Sequence, residues 1–231
     1  MITFRHPTTI LIAGPTQAGK TFFFKQILEH QLIQPPPSRV IYVFGEHAPN
    51  LADLKHLYPS IEYVQGMKNF LDILPTIEAD ERNLVVLDDQ MSEAGKMEET
   101  SNLFTKGSHH RNITVVYIVQ NVFDKGKVHR TISLNSHYMV LFKNPRDEGQ
   151  MRSLAQQVFP SKVKFFMDSF REATKKDHGY LLLDLHPLTP DPLRVRTSIF
   201  KSDEVEIFAP ASETKEANFD LDSLGYIKRL E

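Results

Sequence analysis

Short apolar runs rich in β-branched residues alternate along the chain with longer stretches of helical periodicity. The runs predict strands, and the continuous apolar character of residues 113–119 is typical of a strand buried on both faces of a sheet. Strands are predicted at residues 8–13, 39–44, 83–87, 113–119 and 137–142, with a short weak one at 61–64. This alternation indicates an α/β fold in which crossover helices flank a mostly parallel central sheet.

The longer stretches between these strands predict helices. Helices are predicted at residues 20–33, 67–77, 92–104, 146–158 and 161–174. Prolines at positions 35–37 are expected to stop the first of them, because proline lacks the backbone N–H and clashes with the preceding turn. Residues 180–185 and 193–199 predict a C-terminal antiparallel strand pair, joined through a proline-containing turn.

The last part of the chain has a different character. From residue 202 onward the periodicity fades, and acidic residues outnumber basic ones. This composition predicts a mostly flexible acidic tail. We therefore expect one α/β domain at residues 1–201 and a tail at residues 202–231. A chain of 231 residues is long enough for one large α/β domain and too short for two of that size.

Composition narrows the functional class. The chain is 41% hydrophobic and 24% charged, and its formal net charge of −2 provides no molecule-wide basic field for nucleic acid. Any DNA contact must then come from a local patch. The absence of cysteine excludes disulfides, thiolate metal sites and cysteine nucleophiles. Because there is no apolar leader and no long uncharged apolar window, we expect a soluble intracellular protein without a transmembrane segment.

A phosphate-binding motif follows the first predicted strand. The glycines of such a motif allow successive backbone N–H groups to point at phosphates, beside the positive end of the following helix. We expect its lysine to reach the β- and γ-phosphates of ATP, and the hydroxyl of its last residue to bind Mg²⁺. The segment GPTQAGKT matches G-x-x-x-x-G-K-[ST] at every fixed position and consists of Gly14, Pro15, Thr16, Gln17, Ala18, Gly19, Lys20 and Thr21.

Two carboxylates follow the predicted strand NLVVL. We expect Asp88 to hold Mg²⁺ through water, and Asp89 to polarise the water that attacks the γ-phosphate. Many P-loop motors have Glu at the second position, and Asp has a shorter reach, so its role as a general base is less secure. A solvated turn is the alternative interpretation of the Asp-Asp pair.

Gln120 and Asn121 follow the next predicted strand along the chain. In a parallel sheet all carboxyl ends lie on the edge that carries the phosphate-binding loop. We therefore expect Gln120 to hydrogen-bond the γ-phosphate or the attacking water. A turn-capping amide is the competing interpretation.

Basic residues are concentrated between positions 106 and 130, where Asp124 is the only acid. This patch is a candidate contact for the DNA backbone, although surface loops carry charge routinely. Arg111 precedes the predicted strand at 113–119, at the end opposite Gln120, and so is poorly placed for its own nucleotide. We expect it to act in trans as an arginine finger on a neighbouring subunit's γ-phosphate, with Arg130 as the second candidate.

Taken together, the segments GPTQAGKT, LVVLDD, HHRN before ITVVYIVQN, and HYMVLFKN resemble a known family. They are similar to the genome-packaging ATPases of eukaryotic DNA viruses and Maverick/Polinton virus-like elements, within the FtsK–HerA superfamily. The resemblance covers roughly residues 8–160. In that family an arginine precedes the strand that bears the glutamine sensor, which matches Arg111 and Gln120.

The resemblance carries several implications. It implies an additional-strand ATPase fold, a homo-oligomeric ring, and ATP-driven translocation of double-stranded DNA into a capsid. It also implies capsid or other virion proteins as partners, and action at viral assembly sites in the cytoplasm or nucleus of a host cell or in the virion. The departure is Asp89, where superfamily members often have Glu.

Two other functions stay open. A P-loop nucleotide kinase would need an arginine-rich lid, but Arg146, Arg152 and Arg171 lie on separate helical stretches. A nucleotide-dependent switch that hydrolyses ATP weakly is kept open by Asp89. GTP is the less favoured nucleotide, because the chain has no N-K-x-D base-specificity motif and NPRD at residues 144–147 is not one.

Overall fold

A computed structural model describes residues 2–45, 51–88, 102, 111–123, 127–146, 148–200, 205–210 and 226–230. The chain divides into two units. The first consists of Thr3–Ala13 and Lys20–His137 and is called here the parallel unit. The second consists of Met1–Ile2, Gly14–Gly19 and Tyr138–Glu231 and is called the antiparallel unit.

The parallel unit is built on a sheet whose described strands all run in the same direction. These strands are β2 (Thr9–Ala13), β4 (Arg39–Phe44), β5 (Glu62–Gln65), β6 (Asn83–Asp88) and β7 (Ile113–Val119). Their order across the sheet is β2-β7-β6-β4-β5, and each neighbouring pair is parallel. A separate two-stranded parallel sheet is formed by β1 (Phe4–Arg5) and β3 (Ile33–Gln34).

Burial along the strands explains this arrangement. Every residue of β2 and β7 is buried. Because successive side chains of a strand point to opposite faces, both faces of the sheet are covered here. The helices bounded within the described part of this unit are α1 (Lys20–Glu29), α2 (Leu51–Leu57), α3 (Met67–Ile73) and α4 (Lys127–Leu134).

The antiparallel unit continues the chain from residue 138. Its strands are β8 (Tyr138–Phe142), β9 (Tyr180–Asp184), β10 (Val195–Thr197), β11 (Glu206–Pro210) and β12 (Tyr226–Leu230). They lie in sequence order; the pairs from β8 to β11 are antiparallel, whereas β11 and β12 are parallel. Two amphipathic helices, α5 (Glu148–Val158) and α6 (Val163–Ala173), separate β8 from β9.

The predicted mixed α/β fold with a mostly parallel sheet is confirmed. The bounds of β4 and β7 are those predicted, and those of β2, β6 and β8 differ by one residue at one end. The predicted antiparallel pair is present as β9 and β10. Helices α2 and α4 were not predicted, and the helix predicted at 92–104 lies outside the described residues except for residue 102, which is helical. No helix in the described ranges has the length and apolar character needed to cross a membrane.

The end of α1 differs from the prediction of a helix that continues to residue 33. Gln31 has a φ of 49°, and its N–H donates to Leu28 (3.1 Å) while the N–H of Leu32 donates to Ile27 (3.0 Å). This is the paired hydrogen-bond pattern of a left-handed helix C-cap. Glutamine occupies the left-handed position, where glycine is usual, so the sequence did not indicate that the helix ends here. The helix ends at Glu29, before the prolines.

The segment predicted as a flexible acidic tail also contains regular structure. Ile207, Phe208 and Ala209 are buried in β11, which pairs with β10. The backbone of 226–230 forms β12 beside β11. A strand of five residues next to charged sequence has too little periodicity to stand out, and its position is decided by the open edge of β10.

Candidate nucleotide-binding site

The phosphate-binding segment connects the end of β2 to the start of α1. Gly14 is buried, and a Cβ atom there would lie 2.6 Å from the Cβ of Phe142. Gly19 has a φ of +103°, which L-residues with side chains rarely adopt. The N–H of Ala18 donates to the carbonyl of Pro15 (3.2 Å), closing a turn. The local fold therefore requires both glycines of the motif.

Gly14→Ala is expected to destabilise the protein by about 1–3 kcal/mol, because the added methyl group overpacks the contact with Phe142. Gly149→Ala is the matched control, since a Cβ on that helical glycine meets nothing within 4 Å. The control should be neutral or stabilising by up to about 1 kcal/mol. Urea unfolding of both variants measures the difference. Equal stabilities would show that the Gly14 backbone has room for a side chain.

Lys20 and Thr21 open α1 and are half-buried. The first turn of α1 has no acidic residue, so nothing in that turn opposes an anion at the positive end of the helix. This is the electrostatic environment that a phosphate group requires.

His178 is a neighbour of the loop that the sequence did not reveal. Its Nδ1 lies 3.3 Å from the carbonyl oxygen of Ala18, within the antiparallel unit. The contact joins residues 160 positions apart. No local motif marks such a pairing, so a single sequence gives no signal for it.

Strand β7 lies between β2 and β6 in the parallel unit. An extra strand between the strand that precedes the phosphate-binding loop and the acidic strand is the arrangement that the family resemblance implied. Ala13 is in register with Val119, and Asp88 with Ile118. The ends of β2, β6 and β7 therefore lie side by side. Gln120, which is exposed, follows β7 directly at this edge.

Asp88 is half-buried and accepts a hydrogen bond at Oδ2 from the hydroxyl of Tyr42 on the adjacent strand β4. Tyr42 is buried, and this burial, followed by the negative charge of Asp88, raises the pKa of the phenol. Tyr42 is consequently a neutral donor at physiological pH. Asp89 lies outside the described residues, so its role stays a prediction.

The residues predicted to bind Mg²⁺ have suitable chemistry. The Thr21 hydroxyl and the Asp88 carboxylate are hard oxygen donors, and Mg²⁺ is commonly bound by one or two carboxylates together with substrate phosphates. Both side chains are half-buried rather than sealed in the core. They fit the metal, and their assignment as ligands remains a prediction.

Arg111 and Gln120 flank β7 at opposite ends. Seven strand residues separate them by about 23 Å along the strand. The guanidinium of Arg111 is exposed and donates from Nη1 to the carbonyl of Leu74 (3.1 Å). Arg130 is exposed on α4, whereas residues 103–110 lie outside the described ranges. The action of Arg111 in trans stays a prediction.

No protein-family model and no curated protein matches the sequence. Solved structures do match the fold. The DNA-packaging ATPase B204 from Sulfolobus turreted icosahedral virus is 13% identical, with a TM-score of 0.54 over 87% of this chain and 96% of that chain. The genome-packaging NTPase B204 from Sulfolobus turreted icosahedral virus 2, in complex with ATP-gammaS, is 11% identical, with a TM-score of 0.52 over 83% and 96%. At these identities the similarity establishes the fold.

Proposed function

We propose that the protein is an ATPase that translocates double-stranded DNA and packages a viral or virus-like genome into a capsid. The observation that supports this most is the segment GPTQAGKT between β2 and α1, combined with the insertion of β7 between β2 and the acidic strand β6. The B204 proteins that share the fold are genome-packaging NTPases by name, and one was solved with ATP-gammaS.

Nucleotide binding in this proposal uses the loop and the first turn of α1. The backbone N–H groups of Gly14–Gly19 and the ammonium of Lys20 bind the phosphates of ATP. Thr21 and Asp88 would hold Mg²⁺, which when bound would compensate the negative charge of the phosphate oxygens. In this proposal the lysine contacts the same triphosphate.

Hydrolysis in this proposal uses the polar residues that follow the strands. Asp89 polarises a water molecule for attack on the γ-phosphorus, which yields ADP and phosphate. Gln120 hydrogen-bonds the γ-phosphate or that water and so distinguishes ATP from ADP. Arg111 of a neighbouring subunit stabilises the charge that develops during transfer. This division of roles requires a homo-oligomeric ring.

DNA is the proposed second substrate of this ring. The basic residues between 106 and 130 other than the finger candidates Arg111 and Arg130 contact the phosphate backbone without reading sequence. Capsid or other virion proteins would receive the DNA, at viral assembly sites inside the host cell. Because the net charge of the whole chain is −2, the electrostatic attraction of DNA must come from this local patch.

The proposal predicts that long double-stranded DNA raises ATP turnover and that Arg111→Ala removes this increase. The reason is that hydrolysis in the ring depends on an arginine from the adjacent subunit. Arg152→Ala, which removes an exposed arginine on α5, is the matched control and should respond to DNA as the wild type does. Phosphate release with and without DNA measures the effect.

Mixing experiments test the trans arrangement. Arg111→Ala subunits mixed with Asp89→Asn subunits should regain activity, because one variant keeps the finger and the other keeps the water-polarising carboxylate. Failure of the mixture would place Arg111 in its own site or outside catalysis. Thymidylate is included as a second phosphate acceptor; its phosphorylation would identify a kinase. Nucleotide binding without turnover would identify a switch protein.

A further inference from the structure

We propose that Tyr42 is a positioning residue that orients the Asp88 carboxylate toward the Mg²⁺ of bound ATP, an inference that rests on the proposed function. In the register of β4 with β6, Tyr42 pairs with Val86 and Phe44 pairs with Asp88. Tyr42 and Asp88 are therefore diagonal neighbours on the same face of the sheet. The Tyr42 hydroxyl donates its hydrogen bond to Oδ2 of Asp88.

The ring of Tyr42 is held on two sides. It is 1% exposed. The ring of Phe24 lies 5.7 Å away at an interplanar angle of 43°, and the ring of Tyr63 lies 5.9 Å away at 49°. These contacts are in the range of favourable aromatic pairs. The phenol hydroxyl consequently has a fixed position, and it fixes the carboxylate oxygen that it contacts.

Phe24 connects this cluster to the phosphate-binding helix. Thr21 and Phe24 are three residues apart on α1 and so lie on the same face of the helix. Phe24 packs against Tyr42, and Tyr42 donates to Asp88. One ring contact and one hydrogen bond thus connect Asp88 to the face of α1 that carries Thr21, within the parallel unit.

A hydrogen bond of this kind has a specific consequence for a metal ligand. A carboxylate that ends a strand rotates about its side-chain bonds unless a partner restrains it. Hydrogen bonds from residues behind a ligand fix its orientation, and their loss typically lowers metal affinity tenfold to a hundredfold. The hydroxyl of Tyr42 supplies such a hydrogen bond to Oδ2 of Asp88. Phenylalanine would keep the packing and lose only this hydrogen bond.

Tyr42→Phe tests the proposal, with Tyr63→Phe as the matched control. Tyr63 is the neighbouring ring on β5, and its hydroxyl donates to the backbone carbonyl of Tyr58 (3.1 Å). The probe is Mn²⁺, titrated into the protein with a non-hydrolysable ATP analogue and followed by electron paramagnetic resonance. We expect Tyr42→Phe to weaken Mn²⁺ binding about tenfold and Tyr63→Phe to leave it unchanged. Affinity for the analogue without metal should be the same in both variants.

An Asp88→Asn background shows whether Tyr42 acts through Asp88. In that background, Tyr42→Phe should cause no further loss of Mn²⁺ affinity. Equal Mn²⁺ affinities of Tyr42→Phe and Tyr63→Phe, in a protein whose wild type binds Mn²⁺ with the nucleotide, would overturn the positioning role alone. Absence of metal-dependent nucleotide binding in the wild type, or binding indifferent to Lys20→Ala, would instead overturn the proposed function and the positioning role with it.

Discussion

Lys20→Ala is expected to lower ATP turnover by about 10²–10³-fold. The lysine ammonium is a compact charge at the start of α1, and we propose that it binds the β- and γ-phosphate oxygens, where negative charge develops during hydrolysis. Alanine leaves the loop and helix intact but removes that charge. The first turn of α1 contains no other basic side chain that could replace it.

The measurement compares Lys20→Ala with Lys25→Ala, a half-buried lysine on the same helix. Both changes remove one positive charge from α1, so they alter net charge and helix propensity alike. Only Lys20 adjoins the loop. We expect Lys25→Ala to retain turnover, and ATP to raise the melting temperature of Lys25→Ala but not of Lys20→Ala. Equal ATP turnover in the two variants would contradict the proposed role of the motif in binding phosphate.

The elements that were predicted correctly are those whose signal is local. In β4 and β7 the apolar run and the strand have the same bounds, because side chains on both faces are buried along almost the whole length. The loop between the first long strand and its helix was predicted for a similar reason, because its motif is contiguous from Gly14 to Thr21, and its phosphate-binding role stays a prediction. Chain order alone brings these groups together.

The features that were not predicted depend on contacts between distant parts of the chain. The hydrogen bond from Tyr42 to Asp88 joins residues 46 positions apart. The close approach of Phe142 to Gly14 explains why this glycine is required, and these two residues are even further apart in the sequence. Strand β11 exists because β10 offers it a hydrogen-bonding edge. Neither periodicity nor a motif encodes such pairings, since both describe neighbours along the chain.

Asp184→Ala is expected to destabilise the antiparallel unit by about 3–5 kcal/mol, a larger effect than that expected of Gly14→Ala. Asp184 accepts hydrogen bonds at Oδ1 from the backbone of His186 (3.1 Å) and from the Thr189 hydroxyl (2.9 Å). Its Oδ2 pairs with Nη2 of Arg196 at 3.0 Å, and the two side chains are 6% and 10% exposed. Removing the carboxylate leaves a buried guanidinium without its counter-charge, and an uncompensated buried charge strongly lowers the free energy of unfolding.

The pair of Arg194 with Asp191, whose carboxylate is exposed, provides the matched control. Its Nε to Oδ1 distance is 2.7 Å, shorter than that of the buried pair, and the side chains of Arg194 and Asp191 are 19% and 78% exposed. Because Nη1 of Arg194 keeps its hydrogen bonds to the backbone carbonyls of Asp184 (3.2 Å) and His186 (3.3 Å), Asp191→Ala should cost only about 0–1 kcal/mol. Urea unfolding of both variants shows whether burial or distance determines how much an ion pair contributes to stability. Equal losses of unfolding free energy in the two variants would show that burial does not decide it.

A double replacement tests the physical cause further. Burial lowers the pKa of Arg196, so the folded protein already holds this guanidinium at an energetic cost that Asp184 offsets. Replacing both residues with apolar side chains, as in Asp184→Leu with Arg196→Met, should therefore recover most of the stability lost in Asp184→Ala. If the double variant were no more stable than Asp184→Ala, the lost stability would come mainly from the hydrogen bonds to His186 and Thr189, which both variants lack, and the desolvated charge of Arg196 would be a minor contribution.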